Sequence, residues 1–193
     1  MNDAKTDYKK SLNLPDTTFA MKAELTKNEP LRLQKWQQSR LYERVLESRV
    51  NDPLFLLHDG PPFANGDIHI GHVINKTLKD IVLRFKSMSG HQTPYVPGWD
   101  CHGLPIEQKI QDEIGPKFRD MPTAELRQKC HDWAQSFVDK QAVQFQRMGI
   151  LGEWGNPYRT MAPQYEASVL EVFAQVVEKG LVYKQLKPVV WSI

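Results

Sequence analysis

LFLLHDGPPFANGDIHIGHVINKTLKDIVLRFKSMSG, Leu54 to Gly90, is the stretch whose reading decides the fold. Leu54-Phe55-Leu56-Leu57 is an unbroken apolar run, the pattern of a strand covered on both faces. Gly60-Pro61-Pro62 ends it, because proline has no N–H for a ladder and holds its own φ. From about Gly71 the apolar residues recur at Ile74, Leu78, Ile81, Val82 and Phe85, a helical period. Gly90 supplies a permissive C-terminal cap. A strand, a loop and a helix N-terminus in that order make a ready anion site at the carboxyl end of a sheet.

The chemistry-bearing residues of this stretch are His69 and His72, which flank Ile70-Gly71 where the helix begins. Gly71 has no β-carbon, so a flat ring or a phosphate can come close to the backbone. Two imidazoles beside a helix N-terminus can donate hydrogen bonds to phosphoryl oxygens as charge develops on them. Taken alone, a pair of histidines three apart is weak evidence and is more often one partly buried and one solvated histidine.

His69-Ile70-Gly71-His72 resembles, letter for letter, the HIGH motif of class I aminoacyl-tRNA synthetases. The lead-in Gly60-Pro61-Pro62-Phe63-Ala64-Asn65-Gly66 is similar to that of the isoleucine-specific members. Pro97-Gly98-Trp99-Asp100-Cys101-His102-Gly103-Leu104-Pro105-Ile106-Glu107 resembles the same enzymes' second conserved segment. Leucine- and valine-specific relatives share its outline but differ in the lead-in and after the Asp. The resemblance runs from about Leu12 to the last residue.

Working outward, residues 1–28 show no clean period and read as an extended arm. Glu29 to Arg49 reads as one helix with Leu33, Trp36, Leu41 and Val45 on its apolar face, broken by Asn51-Asp52-Pro53. Thr93-Pro94-Tyr95-Val96 is a second short strand, limited by Pro94 and Pro97. Pro105 opens a short helix to Ile114, stopped by Gly115-Pro116. Pro122 to Met148 is the longest helix, with Leu126, Cys130, Trp133, Phe137, Gln141 and Phe145 along one face and Gln141 its only polar interruption. Pro163 opens a last helix to Lys179 with Val169, Phe173, Val176 and Val177 on one side, capped by Gly180. Leu186 to Trp191 reads as a final strand. The fold class is therefore α/β, a parallel sheet flanked by helices, and the resemblance implies the first half of a Rossmann-type nucleotide-binding fold. Residues 1–50 form an N-terminal arm and helix. Residues 51–193 form the first half of the catalytic domain, expected to stop before the editing insertion.

The bulk properties bound the rest. At 193 residues and 40% apolar, the chain can bury a sizeable core. A net charge of +2 does not advertise a nucleic-acid surface. The start lacks an apolar signal region, and no stretch approaches the roughly 18 apolar residues of a membrane helix. Cys101 and Cys130 are the only cysteines and form no CxxC, which fits a reducing cytoplasm. Each cysteine is followed by a histidine, His102 and His131, but this is not the C-x2-4-C spacing of a zinc site. No metal ligands are assigned.

The resemblance implies ATP-dependent activation of L-isoleucine to isoleucyl-adenylate, then transfer to tRNA(Ile). Its substrates would be ATP with Mg2+, isoleucine and that tRNA, in a monomeric enzyme. His69 and His72 would stabilise the pentacoordinate α-phosphate, and Gly71, Phe63 and Asn65 would line the ATP pocket. Asp100 would meet the ammonium of the amino acid, with Gly60 and Pro61 as a wall. Glu107 reads as a helix first-turn residue favoured by the macrodipole, Trp133 and Phe137 as core, and Lys76, Lys79, Arg84 and Lys86 as a solvated helix face. A KMSKS-like lysine loop, the editing domain, the anticodon-binding domain and any structural zinc would lie outside this segment, so the segment alone is expected to be inactive. Two other readings stay open: a valine- or leucine-specific relative, and a non-catalytic nucleotide-binding paralogue.

Overall fold

The computed structural model describes residues 11–13, 18 and 20–190, and for Lys117 the backbone alone. Most of the arm expected over 1–28 lies outside these residues; its last part is helical, because α1 spans Leu25–Gln38. The single helix expected to Arg49 is two. Arg40, at φ 49°, turns the chain between α1 and α2, Leu41–Glu47. That break lets Trp36 and Leu33 pack beside Gly149 while the Tyr42 hydroxyl reaches Tyr95.

Helix α3, Ile70–Met88, is where the apolar period puts it, and Gly90 adopts the left-handed φ of 84° just beyond it. Its orientation is the reverse of what the period suggests. Ile74, Leu78, Ile81, Val82 and Phe85 are exposed, whereas Lys76 and Leu83 are buried, with His72, Lys79 and Asp80 half-buried. The inward face is thus the one that carries charge. It is tolerated because each inward charge meets a partner, as the site geometry shows.

The parallel sheet is real but shorter than expected. β1, Gly98–Trp99, pairs in parallel with β2, Tyr158–Arg159, a strand between the longest helix and the last one that the sequence pattern does not announce. Isolated parallel bridges join Leu54 to Gln92 and Phe63 to Asp100. Leu54–Leu57 is therefore an extended segment covered on one side: Phe55 and Leu57 pack on the core, and Leu54 and Leu56 are exposed. Thr93–Val96 is likewise extended without a ladder of its own. Pro94 and Pro97 remove donors, and Tyr95 pairs instead with the Tyr42 hydroxyl and with Glu153 N. Leu186–Val190 is exposed and not a strand, and Trp191 lies outside the described residues.

α4, Leu104–Ile114, and α5, Thr123–Arg147, follow their proline and apolar signals, joined by a 3-10 turn at Gly115–Asp120. α6, Pro163–Glu178, also forms as expected, but Val169, Phe173 and Val177 on its apolar face are exposed. The core gathers Tyr95, Trp99, Ile106, Val138, Phe145 and Ile150 between α5 and the sheet.

Gly98 makes the β1–β2 pair possible. A β-carbon there would fall inside the Tyr158 ring, so the two strands approach only because the side chain is absent. We expect Gly98→Ala to destabilise the protein by about 1–3 kcal/mol through overpacking, read as a lower urea midpoint. An unchanged midpoint would show that the strands tolerate separation.

Candidate active site

His69 occupies the N-cap of α3 with extended backbone, φ −118° and ψ 174°. Its Nδ1 accepts a hydrogen bond from Gly71 N at 3.1 Å, and His72 Nδ1 accepts one from His69 N at 3.3 Å. The two side chains therefore perform the reciprocal capping usually done by Ser and Glu. Their rings stack with centroids 3.9 Å apart and an interplanar angle of 25°. With Nδ1 accepting in each, the neutral rings carry their proton on Nε2, the assignment this hydrogen-bond network requires. Two stacked imidazoles, each with an Nε2–H donor, thus sit at the positive end of a helix of 19 residues. The space beside Gly71 is filled by His69: a β-carbon on Gly71 would lie 2.9 Å from His69 Cε1. The close approach that glycine permits here is that of the imidazole.

Burial lowers the pKa of His72, helped by the neighbouring His69 and Lys76. His72 also meets Phe145 edge-on at 6.4 Å.

Beneath the histidines lies a charged cluster whose lysines the sequence pattern places in solvent. Asp59 is 1% exposed and Lys76 2% exposed, and the two form an ion pair. Lys79 Nζ reaches the other Asp59 oxygen at 2.7 Å, and Gly98 N donates to the carboxylate at 3.3 Å. Lys76 Nζ also donates to the Tyr95 hydroxyl at 3.2 Å, and the Tyr158 hydroxyl donates to Asp59 O at 2.6 Å. Burial lowers the Lys76 pKa against the opposing pull of Asp59, and raises the Tyr95 and Tyr158 hydroxyls, the latter to about 12. Arg84 is not free either, since it bonds Asp80 and Gly149 O and stacks on Trp36, while Lys86 lies over Phe55. The expected solvated lysine face is therefore corrected. The missed signal was spacing: His72, Lys76, Lys79 and Leu83 fall on one face of the helix, facing an Asp that precedes Gly-Pro-Pro.

Asp100 lies past β1, half-buried, with its backbone paired to Pro62 O and Ala64 N at 2.9 and 2.8 Å. Its Oδ1 receives only long contacts of 3.5 Å from His102 N and Thr160 Oγ1, so most of its acceptor capacity stays available to a cation. Gly60 is exposed and Pro61 half-buried one step beyond Asp59. The structure thus brings Gly60, Pro61, Phe63 and Asp100 to one pair of neighbouring chain segments, with His69 and His72 six and nine residues beyond Phe63. Asn65 is used internally, donating to Pro105 O at 3.4 Å and accepting from Trp133 Nε1 at 3.0 Å. The loop's far end is held by α5: Gln144 binds Ile68 N at 3.1 Å and Asp67 at 2.6 Å, and Lys140 pairs with Asp67 at 2.9 Å. The Lys140 and Gln144 hydrogen bonds hold the Asp67 carboxyl below its usual range.

The two Cys-His pairs line one cleft of about 940 Å³ with Glu107 and Glu166. Burial raises the Cys101 and Cys130 thiols, and the Cys101 thiol donates to Trp99 O at 3.6 Å. Among the described residues, no three His, Cys, Asp or Glu side chains converge on a metal position, and no helix is long and apolar enough to cross a membrane.

Comparison with known proteins decides the family. Residues 31–193 match the profile described as tRNA synthetases class I (I, L, M and V). The chain belongs to the class I tRNA synthetase family. It is 54% identical over 185 residues to the isoleucine--tRNA ligase of Thermotoga petrophila, and 50% identical over 187 residues to that of Brachyspira hyodysenteriae. These alignments cover 96% and 97% of the chain but 20% of each relative, so it spans about a fifth of the length of the curated relatives it matches. The fold is also that of a LeuRS from Agrobacterium radiobacter K84, solved with tRNA and LeuAMS, at TM-score 0.64 and 23% identity over 84% of this chain and 19% of that one. The class I Rossmann-type assignment stands, and isoleucine-specific proteins are prominent among the relatives of this family member.

The lowered pKa of His72 has a sign. Its folded-state value lies below the unfolded one, so its contribution to stability is present above about pH 6.5 and is lost as the pH falls through the folded-state value. We expect a histidine-ring NMR titration to find His72 neutral at pH 7, with a midpoint below about 6.5. A midpoint at or above that value would mean that burial does not control this ring.

Proposed function

We propose that the protein to which this chain belongs is an isoleucine–tRNA ligase, in which these residues form the first half of the catalytic domain. The observation that supports the reading is the reciprocal cap of His69 and His72, which stacks two imidazoles at a helix N-terminus with both Nδ1 atoms accepting, so that each Nε2–H is left to donate. In-line attack of a carboxylate oxygen on the α-phosphate spreads negative charge over the non-bridging oxygens, and preorganised neutral donors stabilise that charge without needing to reorganise. Keeping His72 neutral suits it to donate without transferring a proton.

Asp100, with its acceptor capacity free, meets the ammonium of isoleucine, and Gly60 and Pro61 form the adjoining wall. Phe63 shapes the ATP side together with Gly71, whereas the bonds of Asn65 to Trp133 and Pro105 make it a support of that pocket. Mg2+ would arrive on the phosphates of ATP, which suits its preference for phosphate and water oxygens. The transfer partner is tRNA(Ile), and the two unpaired cysteines accord with a cytoplasmic setting. Relatives of about 50% identity favour isoleucine over the other family substrates.

In the full-length protein, His69→Ala or His72→Ala should slow isoleucine-dependent ATP–pyrophosphate exchange by about 2.7–4 kcal/mol of transition-state stabilisation. Isoleucine binding, read by calorimetry, should be nearly unchanged. An unaltered exchange rate in both variants contradicts the role.

A further inference from the structure

The apolar face of α5 carries one buried polar side chain, Gln141, 1% exposed. Its amide is fully engaged. Oε1 accepts from Trp99 Nε1 at 3.0 Å, and Nε2 donates to Phe63 O at 3.0 Å and Gly66 O at 2.8 Å. The partners fix its orientation, since an indole N–H only donates and carbonyls only accept. A purely packing residue at this site would need no such match, and removing the amide leaves the buried Trp99 Nε1–H and two part-buried loop carbonyls without it.

The three partners belong to two different functional segments. Phe63–Gly66 leads into His69, and Trp99 immediately precedes Asp100. Gly66 stands at φ 109°, a left-handed conformation that favours glycine, and Gln141 holds its carbonyl. One helical turn on, Gln144 takes Ile68 N, so the two amides grip both ends of the loop.

We propose that Gln141 is a positioning residue that sets the Phe63–Gly66 loop against Trp99–Asp100. It touches no substrate. It fixes the reach between the amino-acid side of the site and the histidine pair, and Gln144 secures the loop's far end. This inference rests on the adenylation reading above. Because the distance is set between two binding halves, its loss shows in the rate of reaction between bound substrates more than in the binding of either.

The test uses Gln141→Met, which keeps length and removes all three bonds, and Gln141→Glu, which keeps an acceptor for Trp99 but offers the loop carbonyls no donor. Each is assayed in the full-length protein by isoleucine-dependent ATP–pyrophosphate exchange, normalised to titrated active sites. Both should lose about tenfold or more in kcat, with the KM for isoleucine within about threefold of the parent. A kcat per active site within about twofold of the parent for either variant, even with a lowered melting temperature, overturns the proposal, because the amide would then only stabilise the fold. If neither variant folds, the half-buried Gln144→Met decides: it must lower kcat, and an unchanged kcat overturns the proposal. An unmutated protein that shows no isoleucine-dependent exchange refutes the adenylation reading instead.

Discussion

A carboxylate almost wholly removed from water, that of Asp59, needs several donors to offset the cost of its burial. It is held by two ammonium groups and a backbone N–H, from Lys76, Lys79 and Gly98. These belong to α3 and to β1, and the Asp59 carbonyl takes the Tyr158 hydroxyl from β2. One residue therefore joins the segment that becomes Gly60-Pro61, the helix capped by the histidine pair, and both strands of the sheet. A shift of α3 by one residue would pull Lys76 off Asp59 and carry the histidines with it. The position of the two capping imidazoles is in this sense set from below, by a buried ion pair.

This constraint also explains which way α3 faces. A period of apolar residues ordinarily marks the buried side, because burial of apolar area is the dominant gain. Here the cluster at Asp59 recruits the charged side, and Ile74, Leu78, Ile81 and Phe85 remain open among the described residues. Local periodicity gave the helix and its limits but not its orientation, since a buried ion pair is non-local: Asp59 lies 17 residues from Lys76. The same limit hid the inward lysine, which by composition belongs at the surface.

Other features were legible for identifiable reasons. Prolines at Pro105 and Pro163 mark helix starts because the first turn needs no N–H from them, and α4 and α6 begin there. Gly90 and Gly180 adopt positive φ after their helices, where a side chain would cost strain. The strands were harder. Parallel pairs two residues long, such as Gly98–Trp99 with Tyr158–Arg159, leave no alternation to read, and the prolines around Tyr95 divert its hydrogen bonds to Tyr42 and Glu153. In the site, motif letters pointed to His69 and His72, but their mutual capping, the internal use of Asn65 and the grip of α5 on the loop are three-dimensional facts.

The central claim is that the Asp59–Lys76 pair, more than the apolar stripe, fixes α3 on the sheet. A double-mutant cycle in urea unfolding, with Asp59→Asn, Lys76→Met and the combination, measures it most directly. Each single change removes one partner of a buried charge and should cost about 3–5 kcal/mol, while the pair together should cost clearly less than the sum. Additivity of the two single effects to within about 0.5 kcal/mol would show that the residues act independently, and the account of the fold built on their contact would be wrong.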